Sequence, residues 1–176
     1  MEKKGLSYQV KDLDVKKETV VAYASIYNNE DADVEIIEPG DYVKTVSERF
    51  KKLRVLYNHD SKLKIGIPLE VDPHDTTGLL TKTKFNLEKQ LAHDAFTDIQ
   101  LEKENGQDSD LSVGMLTVRR NVANRKRITE VKLFEYSFLS FLGANALATV
   151  LDVKSLAALT EKQIVEHIAQ LTKMYN

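Results

Sequence analysis

Residues 19–28 read TVVAYASIYN, and this run decides the class of fold. β-branched and aromatic side chains suit a pleated, half-buried surface, and the run stops at a polar turn, Asn28-Asn29-Glu30-Asp31. The same reading extends down the chain. Leu53, Val55 and Tyr57 are apolar at every second position, with Leu56 as the one exception. Ile65, Ile67, Leu69 and Val71 alternate in the same way until Asp72-Pro73-His74-Asp75 halts them. Residues 78–85, 111–118 and 128–139 supply further strands, and the polar segment 119–127 suits a long hairpin connection.

Helices are fewer. Asp41 is the expected N-cap of a short helix carrying Tyr42, Val43, Val46 and Phe50 at helical spacing. Asn86 is the expected cap of a second, with Leu87, Leu91, Ala95 and Ile99 each four residues apart and Gly106 just past the end. Thr160 with Gln163 forms a capping-box signature for a third, whose apolar face is Ile164, Ile168, Leu171 and Tyr175. Many short strands with a few interspersed helices predict a mainly β, α+β fold, a barrel or sandwich with helices packed outside. The expected organisation is one β domain over residues 1–155 and a C-terminal helix over 156–176.

Composition narrows the function. A chain of 176 residues, 42% hydrophobic and 30% charged, has a globular balance and fits one ordinary domain. With no cysteine there is no disulfide, thiolate metal site or cysteine nucleophile. A net charge of −2 argues against bulk attraction to nucleic acid or membrane. The uncharged stretch 136–151 is interrupted by polar residues and falls short of the ~20 apolar residues that span a bilayer. No apolar stretch follows Met1-Glu2-Lys3-Lys4, so no secretory signal is expected. The sequence holds no GxxxxGK[ST], GxGxxG or HExxH pattern, and His59, His74, His93 and His167 are scattered. Neither a cofactor nor a metal is expected.

Three residues stand out as chemistry. Ser112 lies in Asp110-Leu111-Ser112-Val113-Gly114, where Gly114 leaves room for a close approach. Taken alone, it also reads as a strand serine beside a bulge glycine. His59 follows the 53–57 strand between Asn58 and Asp60, where an imidazole can act as general base near neutrality or simply occupy a surface turn. Glu135 sits in the apolar run Leu133-Phe134-Glu135-Tyr136-Ser137-Phe138, and a carboxylate there needs a partner. That partner is either a catalytic imidazole or an arginine such as Arg119.

In their order along the chain, these segments resemble the prohead (procapsid maturation) protease family of tailed phages, relatives of the herpesvirus assembly proteases. The matching landmarks span residues 19–150. They are Ala22-Tyr23-Ala24-Ser25-Ile26-Tyr27-Asn28-Asn29, Ile36-Ile37-Glu38-Pro39-Gly40, Val55-Leu56-Tyr57-Asn58-His59-Asp60 with Ile65-Gly66, Leu111-Ser112-Val113-Gly114, and Leu133-Phe134-Glu135-Tyr136-Ser137 with Ala144-Asn145 and Ala148-Thr149-Val150. Met115 stands where an aromatic residue is common, and Gly143 and Ala146 replace the usual prolines of the closing loop.

The resemblance implies a herpesvirus-protease-like β-barrel and a serine endopeptidase, with Ser112 as nucleophile, His59 as general base and Glu135 as the acidic third member. It implies the major capsid protein and scaffold protein as substrates, the protease itself among them, and a site of action in the host cytoplasm within the assembling procapsid. A homo-oligomer is compatible with it. Asp60, Asp108 and Asp110 compete for the acidic role by their nearness in sequence to His59 or Ser112. Two other readings remain. One is a capsid-assembly or scaffold protein of the same fold that binds without cutting. The other is a nucleic-acid-binding barrel using the basic residues Arg119, Arg120, Arg125, Lys126, Arg127 and Lys132, with Arg49, Lys51, Lys52 and Arg54 as a second cluster; the hairpin's lack of an aromatic for base stacking counts against it.

Overall fold

The computed structural model describes residues 18–154 apart from 142 and 146. The expected C-terminal helix lies outside the described residues. Seven strands and two helices follow in the order β1 (Thr19–Ile26), α1 (Val43–Arg49), β2 (Arg54–Tyr57), β3 (Asp60–Asp72), β4 (Gly78–Phe85), α2 (Gln90–Glu104), β5 (Leu111–Arg120), β6 (Ile128–Phe138) and β7 (Val150–Lys154). A short 3₁₀ turn, Phe50–Lys52, continues α1. The strands form one sheet in the order β5-β6-β2-β3-β4-β1-β7. Every pairing is antiparallel except β2 with β6. The sheet curls until its edge strands meet at one end, where Leu111 N–H donates to Ala148 O (2.8 Å) and Val150 N–H to Ser109 O (3.1 Å). Among the described residues the fold is mainly β with two helices, the mainly β, α+β class that the alternating patterns predict.

The curled sheet encloses a core of Val20, Ala22, Val55, Ile65, Leu79, Phe85, Leu111, Ile128, Leu133, Tyr136 and Phe138. Phe85 is its hinge of contacts, edge-on to Phe138 at 5.0 Å and to Phe96 at 5.3 Å. Such pairs add about 0.5–1.5 kcal/mol beyond simple burial. The polar tip of Tyr136 is satisfied, since its Oη lies 2.7 Å from Thr83 Oγ1. Burial raises the Tyr136 phenol above its ordinary range, so it stays neutral. Helix α2 buries Ala92, Ala95, Phe96 and Ile99. Among the described residues no helix is long and apolar enough to cross a membrane.

Both expected N-caps are displaced. Helix α1 is preceded by Tyr42 with no side-chain cap. Asp41 instead accepts Glu38 N–H at 2.8 Å and closes the turn that leads into the helix. Helix α2 begins at Gln90, four residues after Asn86, because residues 86–89 form a turn. In it Asn86 N–H donates to Ile65 O and Asn86 O accepts Lys89 N–H. The far end of α2 matches expectation. Gly106 takes φ +72°, its N–H donates to Lys103 O, and Gln107 N–H donates to Glu102 O. This pair of bonds caps the last carbonyls, and a left-handed residue at that position favours glycine.

The placement of Asp41 makes the fold more stable in mild acid than at neutral pH. Desolvation pushes its carboxyl up to about 6, with the charge of Glu38 adding and the Glu38 backbone N–H opposing. Between about pH 4 and 6 the folded state therefore holds a proton that the unfolded chain releases, and stability falls as pH rises through that window. Asp41→Asn keeps an acceptor for Glu38 N–H without the charge. Urea unfolding at about pH 4 and about pH 7 should show a smaller loss of stability in the Asn variant than in the parent; an identical loss in both would contradict the assignment.

Candidate active site

Strands β2 and β3 form a hairpin in which Tyr57 pairs with Asp60 and only Asn58 and His59 remain to turn the chain. Both take positive φ, 54° and 58°. A two-residue turn of this kind matches the twist of the flanking strands and normally uses Asn-Gly. Asn tolerates the left-handed region, whereas a histidine there costs about 1 kcal/mol and must be held by its surroundings. Four hydrogen bonds hold it. Asn58 N–H donates to Phe138 O (3.0 Å), and Asn58 Nδ2 donates to Ser140 Oγ (2.8 Å). Ser140 N–H donates back to Asn58 Oδ1 (2.9 Å), and His59 N–H donates to Ser137 Oγ (3.1 Å). His59 is thus a turn residue clamped to the end of β6, the surface-turn placement left open by the sequence.

Strand β6 changes phase beside this turn. Its register with β5 pairs Gly114 with Glu135 but Met115 with Leu133, so Phe134 is an extra residue. This is a β-bulge, and it re-aims the side chains on its C-terminal side. Leu133 and Tyr136 both point into the core and are fully buried. Glu135 points to the opposite face with Ser137. The peptide groups of Leu133 at the bulge are satisfied by α1 and the residue that ends it: Leu133 N–H donates to Thr45 Oγ1 (2.9 Å), and Arg49 Nε donates to Leu133 O (3.2 Å). Phe134 lies exposed beneath the Arg49 guanidinium, 5.1 Å from the ring centre.

Turn and bulge together bring His59 and Glu135 into contact. His59 Nδ1 lies 2.8 Å from Glu135 Oε1. Ser137 Oγ donates to Glu135 Oε2 at 2.7 Å. A carboxylate only accepts, so this hydrogen-bond network assigns the proton to Nδ1 and leaves Nε2 as the basic nitrogen. The Glu135 side chain is 12% exposed and that of His59 37%, so the acid is covered and the ring is open to solvent. The carboxylate lies on Gly114: a Cβ built there would fall 2.7 Å from Glu135 Cδ. The room at Gly114 is therefore filled by Glu135.

Ser112 occupies the same sheet face. It pairs directly with Ser137, two residues from Gly114 opposite Glu135, and is half-buried. Residues opposite one another on a ladder have Cβ atoms about 5 Å apart. Among the described residues the Ser112 hydroxyl makes no hydrogen bond. The structure thus joins His59 to Glu135 directly and sets Ser112 on the adjoining strand of the same face.

Two of the three competing carboxylates are engaged elsewhere. Asp60 Oδ1 accepts Lys62 N–H (2.8 Å), and Asp110 Oδ2 accepts Gly143 N–H (2.8 Å). Asp108 is exposed. Arg119 pairs with Glu130 at 3.3 Å, not with Glu135. The basic hairpin is paired with the acidic segment 30–38. Arg120 meets Glu35, Arg127 meets Glu38, and Lys126 meets Glu30 at 3.0 Å. These three cations each hold a carboxylate partner. Among the described residues no three His, Asp or Glu side chains cluster as metal ligands. Three contributors were not expected from sequence: Asn58, Ser137 and Ser140. The period-2 spacing of Ser137 from Glu135 was a usable signal, because it places the two on one face.

No curated protein sequence matches the chain. Among solved structures, the protease of KSHV, in complex with a hexapeptide phosphonate inhibitor, is similar in fold. The TM-score is 0.52 at 10% identity, over 86% of this chain and 76% of that one. The sequence profile of the caudovirus prohead serine proteases matches residues 6–163. Spanning most of the chain and agreeing with a herpesvirus-protease fold, that match makes the chain a member of the caudovirus prohead serine protease family, the serine proteases of phage capsid maturation.

Proposed function

We propose that the chain is the maturation endopeptidase of a tailed-phage procapsid, that it cuts the major capsid protein, the scaffold protein and itself, and that Ser112, His59 and Glu135 are its catalytic triad. The observation that carries the reading is the 2.8 Å contact between His59 Nδ1 and Glu135 Oε1 on the sheet face that holds Ser112.

In this reading His59 Nε2 takes the Ser112 proton as Oγ attacks the scissile carbonyl carbon. The tetrahedral intermediate collapses when the imidazolium returns that proton to the leaving amine, and the C–N bond breaks. A water, deprotonated in turn by Nε2, attacks the ester; the acyl–oxygen bond breaks and Ser112 recovers its proton. Glu135 holds the ring through Nδ1 and stabilises the imidazolium formed in each half. A carboxylate shielded from water by Gly114 and Ser137 is stronger in that role than a solvated one, because less charge is screened.

Two experiments test the roles. Co-expression with the capsid and scaffold proteins should yield discrete fragments in the parent. Ser112→Ala should lower turnover on the order of 10⁶-fold with folding intact; undiminished cleavage by that variant would remove Ser112 from the mechanism. Gly114→Ala places a methyl group where the Glu135 carboxylate lies. It should leave circular dichroism unchanged but cut turnover toward the ~10⁴-fold loss seen when a triad acid no longer orients its histidine. Parental turnover in Gly114→Ala would show that the position of Glu135 over β5 is irrelevant to catalysis.

A further inference from the structure

Resting on the triad reading above, we infer that Ser137 is a positioning residue that couples the hairpin turn carrying His59 to the Glu135 carboxylate. Its hydroxyl has one proton and lone pairs to spare, and the structure uses both. It accepts the His59 backbone N–H at 3.1 Å and donates to Glu135 Oε2 at 2.7 Å. Glu135 Oε1 then meets His59 Nδ1 at 2.8 Å. The result is a closed ring of three hydrogen bonds that begins and ends on one residue, with two donor directions fixed by the acceptor-only carboxylate and the third by the donor-only backbone N–H. The ring addresses two separate problems. It gives a left-handed histidine a backbone anchor, and it fixes the second carboxylate oxygen so that the first stays aimed at Nδ1. Neither is needed for packing, because the inward-facing neighbours Tyr136 and Phe138 are those that fill the core. Ser137 itself is fully buried, so water does not compete for either bond.

The test compares Ser137→Ala and Ser137→Thr with the parent by steady-state cleavage and by proton NMR of the His59 Nδ1–H. Loss of a hydrogen bond to a charged group acts on a scale of about 10- to 100-fold. Ser137→Ala should lose that much in kcat with KM nearly unchanged, and its Nδ1–H resonance should broaden through exchange with water. Ser137→Thr keeps the hydroxyl and should restore both. Parental kcat in Ser137→Ala would overturn the proposal. So would a loss of kcat with the resonance intact and no rescue by threonine, since that marks a merely structural role. Should Ser137→Ala fail to fold, hydrogen exchange in the parent decides: the His59 amide at the hairpin tip should exchange well below the free-peptide rate, and exchange at that rate overturns the proposal. The NMR readouts report on the ring and not on chemistry. A wrong triad would therefore appear as activity retained without Ser112, whatever the state of the ring.

Discussion

The extra residue that β6 carries at Phe134 decides which face of the sheet receives a carboxylate. In an unbroken strand Glu135 would share a face with Leu133, which is fully buried in the core. An ionised carboxylate there would cost several kcal/mol without a partner. The bulge moves it one step out of phase and sets it over Gly114, the one residue type on β5 that leaves room for it. The peptide groups at the bulge are in turn satisfied by Thr45 and Arg49. Helix α1 thus acts on the site without touching it, by stabilising a defect in the ladder.

The same logic governs the histidine. A two-residue turn holds His59 in a conformation that histidine adopts at a cost, and that cost is offset by anchoring the turn to the end of β6 through Asn58, Ser137 and Ser140. Strain at such a point is useful because the surroundings, not the residue's own preference, then fix its direction. The parallel pairing of β2 with β6 is what brings turn and bulge together, since Leu56 and Ser137 stand opposite each other in that register. Seventy-six residues of chain separate Glu135 from His59, and one strand pairing closes the gap.

Much of the fold is legible in the chain. Alternation locates β4 to the residue and β1, β5 and β6 to within a few positions. Three things are not legible, each for a physical reason. The Asn58-His59 turn lacks the glycine that normally announces it, so the sequence leaves His59 open between a strand end and a surface turn. The five-residue β7 owes its strand character to pairing with β1, which no local pattern reveals. Asp41 and Asn86 have the side chains of helix caps, but the turns that precede each helix claim them first. For the site, residue type marks Ser112, His59 and Glu135, while the bulge that brings the acid to the histidine is invisible because it is a property of two strands in register.

In the proposed mechanism Glu135, and no other carboxylate near the serine or the histidine, orients the base. Turnover of Glu135→Gln beside Asp60→Asn and Asp110→Asn tests it most directly. Glu135→Gln should fall toward ~10⁴-fold below the parent, the scale set when a triad acid becomes its amide, with the other two variants close to the parent. Full activity in Glu135→Gln together with a collapse in Asp60→Asn or Asp110→Asn would contradict it.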